Sequence, residues 1–183
     1  SRFFQVDKYD HLVVNSDYTG EWVKRRWNLT HTQKLYPPVN MYNPLSTSDE
    51  KEQIVLCVAS FDVSGNNKQA EMIRTFSNMC QRYPQETRGW KLVLAGHSKP
   101  DNTYIDEIEK VLLRAHGEIE YKTNVAVSEI KDYYRRASLF WHASGLNDDS
   151  PERLQKFRTI SVEAMQNYCV PIVCDSGGQS EIV

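Results

Sequence analysis

From about residue 53 onward the chain alternates short apolar runs with longer stretches of helical spacing. The runs are Ile54–Ala59, Trp90–Ala95, Ile119–Tyr121, Ser138–His142 and Val170–Cys174. They are mostly continuous rather than alternating, the pattern of strands covered on both faces. Between them, Asn66 or Asn67 can cap a helix that buries Ala70, Ile73, Phe76 and Met79. Pro100-Asp101 opens a second, carrying Tyr104, Ile105, Ile108, Val111 and Leu112. Ser128 is a suitable N-cap for a third, in which Ile130, Tyr133, Tyr134 and Ala137 fall at i, i+3, i+4 and i+7. A fourth should hold Val162, Ala164, Met165 and Tyr168. Strands alternating with helices predict an α/β fold, a Rossmann-like doubly wound parallel sheet over residues 46–183.

Residues 1–45 follow a different pattern. Asp10–Asn15 reads as a strand, Thr19–Trp27 as a helix with Trp22, Val23 and Trp27 on its apolar side, and Tyr36-Pro37-Pro38-Val39 as an extended linker. The polar stretch Asn43–Lys51, with Pro44, makes a boundary. Residues 1–45 are therefore expected to be the tail of a preceding domain plus its linker. The chain starts at Ser1 without a methionine and stops just past the opening of an expected helix, which predicts a piece of something longer.

Composition narrows the partners. Of 183 residues, 22 are Lys or Arg and 24 are Asp or Glu, a net charge of −2. No basic field exists for a nucleic-acid backbone, which argues against nucleic acid as a partner. The longest apolar run, Ile54–Ala59, is far too short for a transmembrane segment. The sequence shows no signal-peptide pattern, and Cys57, Cys80, Cys169 and Cys174 are scattered, so a cytoplasmic location is expected. Lys24, Arg25 and Arg26 leave peripheral contact with a membrane face open, although three charges on one helix more commonly make a solvated face.

In an open parallel sheet, ligands sit at the carboxyl ends of the strands. The loops there are Ser60–Asn67, Gly96–Asp101, Ala143–Arg158 and Asp175–Gly178. In the last, a strand runs into Asp175-Ser176-Gly177-Gly178 and then a helix expected near Gln179. Two glycines let a backbone approach an anion, and new helical N–H groups would favour phosphate; a ligand-free tight turn fits the local sequence equally well. The chain has no G-x-G-x-x-G, no G-x-x-x-x-G-K-[ST], no H-E-x-x-H and no G-x-S-x-G. No metal site is proposed.

The stretch Ser161-Val162-Glu163-Ala164-Met165-Gln166-Asn167-Tyr168-Cys169-Val170-Pro171-Ile172-Val173, followed by Gly177-Gly178-Gln179-Ser180-Glu181-Ile182-Val183, resembles the donor-binding domain of group 1 retaining glycosyltransferases of GT-B architecture. Their pattern runs E-x-F-G-x-x-x-x-E-A-M-A-x-G-x-P-V-V, then G-G-x-x-E-I-V. Trp90–Gly96, Ser128–Ala137 and Phe140–Ala143 match upstream in order and spacing, and Tyr9–Ser16 looks like the last strand of the acceptor domain.

The resemblance implies a hexose moved from a nucleotide-diphosphate sugar, UDP- or GDP-linked, to a glycan, lipid-linked or other hydroxyl acceptor, with retention. It implies no metal and no cofactor besides that substrate, and a chain that does not act without the rest of the enzyme. Glu163 matches the glutamate that accepts hydrogen bonds from ribose hydroxyls, or alternatively it only stabilises its own helix. Gly177, Gly178 and Gln179 match the phosphate- and sugar-facing turn, and Glu181 is placed to cap or orient the helix that follows.

Four positions depart from the pattern. Gln155 replaces the first glutamate, Arg158 the glycine after Phe157, Ser60 an arginine, and Asn67 a lysine, with Lys68 adjacent. Losing cations weakens the response to a departing diphosphate, at roughly 3–4 kcal/mol of barrier per stabilising group. Arg158 and Lys68 are the candidates to restore charge, although Arg158 can equally obstruct the donor. The alternative is thus a catalytically degenerate domain serving as a binding or scaffolding module. A weaker reading is another GT-B enzyme, such as a sugar-nucleotide epimerase using His97 or His142.

Overall fold

The structure is a computed structural model, and it describes residues 9–29, 31–39, 50–62, 66–148 and 158–183. Strands β3 (Glu52–Val58), β4 (Lys91–Gly96), β5 (Glu118–Thr123), β6 (Ala137–His142) and β7 (Val170–Val173) form one sheet in the order β5-β4-β3-β6-β7. Every pairing in it is parallel. The chain moves outward from β3 to β4 and β5, then returns past β3 to β6 and β7. The order therefore reverses between β3 and β6.

Helices cover both faces. Side chains alternate along β3, so Val55 and Cys57 point one way and Ile54 and Leu56 the other. The first pair joins Leu92, Leu94, Ile73, Phe76 and Ile108 beneath α2 (Gln69–Arg82) and α3 (Thr103–Leu112). The second joins Val93, Phe140, Tyr133, Tyr134 and Ala164 beneath α4 (Val127–Arg136) and α5 (Thr159–Gln166). All four cysteines are free, with Cys57 and Cys169 buried in the two cores.

The N-terminal unit is smaller. β1 (Leu12–Val14) pairs in parallel with β2 (Thr32–Lys34), and α1 (Asp17–Trp27) connects them. No residue of α1 is fully buried: Trp22 and Val23 of the expected apolar side are half-buried, and Trp27 is 39% exposed. Lys24, Arg25 and Arg26 occupy its last turn, where they complement the helix dipole.

Several expected details are corrected. In α2 the buried stripe runs through Met72, Ile73 and Phe76 to the half-buried Cys80, one residue past Met79, which is exposed. α3 begins at Thr103, because Asp101 has φ +53° and Asn102 is the N-cap, its side chain accepting the Tyr104 N–H. α4 begins at Val127 with Ala126 at the cap, so Ser128 lies inside the first turn. α5 ends at Gln166, and Tyr168, with φ +60°, is exposed beyond it. No helix starts at Gln179; Gly177–Gln179 is a single 3-10 turn. The boundary stretch falls largely on residues 40–49, outside the described residues.

The start of α2 has no side-chain cap of its own, since Lys68 holds the N-cap position at φ +60°. Tyr104 of α3 substitutes: its phenol oxygen accepts the buried Ala70 N–H at 3.2 Å. Burial also pushes the Tyr104 phenol above its ordinary pKa. Tyr104→Phe leaves that N–H unpaired and should cost about 1–2 kcal/mol in urea unfolding; an unchanged midpoint would rule the cap out.

Candidate functional site

The carboxyl ends of β3 and β6 meet where the strand order reverses, the usual place for a ligand crevice. Beyond β3 the backbone stays tied to β4, with Ala59 N–H donating to Ala95 C=O at 2.9 Å and Phe61 N–H to His97 C=O at 2.8 Å. Gly96 allows this contact, because a Cβ there would stand 1.8 Å from the Ala59 carbonyl oxygen. The loops after β3 and β6 are joined directly across the reversal. The buried Ser144 hydroxyl donates to Asn67 Oδ1 at 2.6 Å, and Asn66 Nδ2 donates to Asp148 Oδ2 at 3.0 Å.

Asn67 is therefore not an N-cap. Its amide also donates to the Ser60 carbonyl at 2.8 Å and to the Ser60 hydroxyl at 3.3 Å, so it is engaged inside the protein. Gln69 Nε2 donates to the same carbonyl at 2.9 Å. Exposed Ser60 lines a cavity of about 300 Å³ with Phe61, His97, Lys99 and Asn102. Lys68 is adjacent and half-buried. Lys99 is a cation of this edge that the sequence pattern did not single out, and its place in the Gly96–Asp101 loop at the carboxyl end of a strand is the signal that could have found it.

On the β6–β7 side, Gly177 has φ +65°, a conformation that suits glycine. Gly178 and Gln179 are buried. Gln179 Oε1 accepts the Ser161 hydroxyl of α5 at 2.8 Å, which seats the turn against the helix that carries Glu163. Gln179 Nε2 has no hydrogen-bond partner among the described residues. Glu163 is half-buried; burial raises its carboxyl above the ordinary range, and a hydrogen bond with the Thr159 side chain pulls the other way. That bond to its own first turn is the helix-stabilising role, present alongside whatever the carboxylate does for a ligand.

Arg158 stands at the N-cap position of α5 and makes no side-chain cap. The residue as a whole is exposed, and desolvation lowers the pKa of its guanidinium. It remains cationic. The neighbour it affects is His142, at the end of β6 and 2% exposed. Burial first, and the Arg158 charge second, hold His142 down to about 4. Neither of its ring nitrogens has a hydrogen-bond partner outside its own residue among the described residues. Gln155 lies outside the described residues.

Two clusters thus result. Ser60 and Asn67 belong to the β3–β4 side, with Lys68 beside them; Arg158, Glu163, Gly177, Gly178 and Gln179 belong to α5 and its partners. Asn67 reaches the β6 loop through Ser144. Among the described residues, no group of three His, Cys, Asp or Glu side chains is arranged to hold a metal. No helix of the described residues is long and apolar enough to cross a membrane.

Comparison with known proteins gives a consistent result. A family model described as glycosyl transferases group 1 matches residues 44–183. The GDP-Man:Man(3)GlcNAc(2)-PP-Dol alpha-1,2-mannosyltransferase of Mus musculus is 24% identical over 142 residues, covering 73% of this chain and 29% of that protein. Among solved structures, a glycosyltransferase involved in avilamycin A biosynthesis superposes with a TM-score of 0.67 at 16% identity, covering 93% of this chain and 46% of the other. A variant of S. aureus TarM in complex with fondaparinux, alpha-GlcNAc-glycerol and UDP gives 0.66 at 11% identity, covering 97% and 32%. The chain spans less than half the length of each of these relatives.

Proposed function

The chain belongs to the group 1 glycosyl transferases, and from that premise we propose that residues 46–183 bind the nucleotide-diphosphate sugar of a hexosyltransferase. The acceptor, a glycan or lipid-linked hydroxyl, meets it across a cleft to which residues 1–45 contribute. The observation that carries the reading is that the family match spans every loop at the carboxyl edge of the sheet, from the β3 loop to the Gly177-Gly178 turn. A guanosine diphosphate donor is the first candidate, since the mouse relative's name specifies GDP-Man.

In this reading Glu163 accepts the ribose hydroxyls, for which a carboxylate offers only acceptors. Gly177 and Gly178 bring backbone close to the diphosphate and sugar. As the glycosidic bond breaks, negative charge grows on the leaving diphosphate and the sugar becomes oxocarbenium-like. Arg158 and Lys68 supply the positive charge that meets the leaving group, in place of the arginine and lysine that Ser60 and Asn67 replace. Gln155 contacts the sugar as a neutral partner, and the configuration at the anomeric carbon is retained. No metal takes part.

Titration calorimetry of the chain with GDP, UDP and their sugars tests this. Binding of one nucleotide class is expected, with Glu163→Ala weakening it about tenfold, the size of a lost charged hydrogen bond. No binding of any of these ligands would overturn the reading.

A further inference from the structure

The first N–H groups of any helix need acceptors from outside it. In α1 the Ser16 hydroxyl accepts Thr19 N–H at 3.0 Å, and the Ser16 carbonyl accepts Gly20 N–H at 3.0 Å as the first bond of the helix itself. The acceptors for Asp17 and Tyr18 come from the far end of the sequence. Glu181 Oε2 accepts Asp17 N–H and Glu181 Oε1 accepts Tyr18 N–H, each at 2.8 Å. The Tyr36 hydroxyl adds a weaker contact to Oε2 at 3.4 Å. One carboxylate therefore holds the head of α1 and touches the segment leaving β2. Lys34 pairs with Asp17 at the same place and offsets the two neighbouring negative charges.

We propose that Glu181 is a positioning residue. By capping α1 it fixes the β1–α1–β2 unit to the Gly177-Gly178 turn four residues upstream, and so sets the geometry of whatever that turn binds. The expected role of capping the helix that follows is replaced: the helix it serves is 163 and 164 residues away. A charged acceptor at a helix N-terminus is favourable, and a bidentate one constrains direction as well as distance. The mechanical part of this proposal stands on the hydrogen bonds alone; its effect on ligand binding rests on the donor-site reading above.

Amide hydrogen exchange by NMR, with and without GDP or UDP, on the wild-type chain, Glu181→Ala and Glu181→Gln, provides the test. In Glu181→Ala the Asp17 and Tyr18 amides should exchange about tenfold faster or more, while Thr19 and Gly20, held by Ser16, stay unchanged. Glu181→Gln, with a single carbonyl oxygen, should rescue one of the two amides. The nucleotide that binds wild type should slow Asp17 and Tyr18 further and bind Glu181→Ala about tenfold more weakly, since coupling is reciprocal. Unchanged exchange of Asp17 and Tyr18 in both variants would overturn the cap. Faster exchange with unaltered nucleotide affinity would overturn the positioning role and leave a merely structural contact. Failure of both nucleotides to bind wild type would instead bring down the donor-site reading and the positioning role with it, a result read from wild type alone.

Discussion

Gly96→Ala should lower folding stability by about 3 kcal/mol, the upper end of what overpacking ordinarily costs. The added Cβ would stand 1.8 Å from the Ala59 carbonyl oxygen and 2.6 Å from its carbonyl carbon. Both obstructing atoms are backbone, so no side-chain rotation relieves the clash. The segment after β3 must move away from β4, which breaks the Ala59–Ala95 and Phe61–His97 hydrogen bonds that continue the ladder past the sheet. Because these lie under Ser60, nucleotide binding should weaken together with stability. Gly20→Ala is the control. Its methyl would meet the Val14 side chain at 3.4 Å, an ordinary contact, within a helix that favours alanine over glycine. Urea unfolding of both variants decides the matter: equal midpoints would show that the approach of β3 to β4 is not limited by Gly96.

The sheet was legible because its strands are buried on both faces. Leu56, Leu92, Leu94 and Phe140 are all fully buried within runs that carry almost no polar residue. A strand without that burden leaves no trace. β2 is Thr-Gln-Lys, held by three residues of β1, and nothing in its composition marks it. Helix stripes were legible in their middles and not at their ends, where tertiary partners decide. Asn67 has the composition of an N-cap, but Ser144, 77 residues away, takes its carbonyl oxygen.

The candidate site divides in the same way. Gly177 could be read locally, since a turn with φ +65° is one that glycine suits. The orientation of Glu181 could not, because its partners lie at the opposite end of the chain. His142 was placed at a strand end by its position after Trp141, yet only the packed structure reveals that the imidazole is closed in. Phe140 stacks near it, with ring centroids 6.4 Å apart. The pattern of four substitutions was visible as chemistry, whereas the internal use of Asn67 was not. That use removes Asn67 as a direct ligand group and leaves the positive charge of the proposed site to Lys68 and Arg158, with Lys99 on the same sheet edge.

Acidification from pH 6.5 to pH 4 should withdraw about 3 kcal/mol of folding stability through His142 alone, because each pH unit in that window is worth about 1.4 kcal/mol. The sign follows from its surroundings. Burial and the nearby Arg158 charge hold His142 down to about 4 in the folded chain, against an ordinary value of 6.5. Between those limits the unfolded chain binds a proton at this residue and the folded chain does not. Stability is therefore complete above pH 6.5 and falls as pH falls through the window. His142→Leu removes two poorly satisfied ring nitrogens and keeps an apolar side chain of similar bulk, so its cost at pH 7 should be small. Urea unfolding of wild type and variant at each pH from 7 to 4 isolates the contribution, since every other titrating group cancels in the difference. That difference should swing toward the variant as pH falls. A flat difference would mean that the imidazole titrates alike in the folded and unfolded chains, and would overturn the prediction.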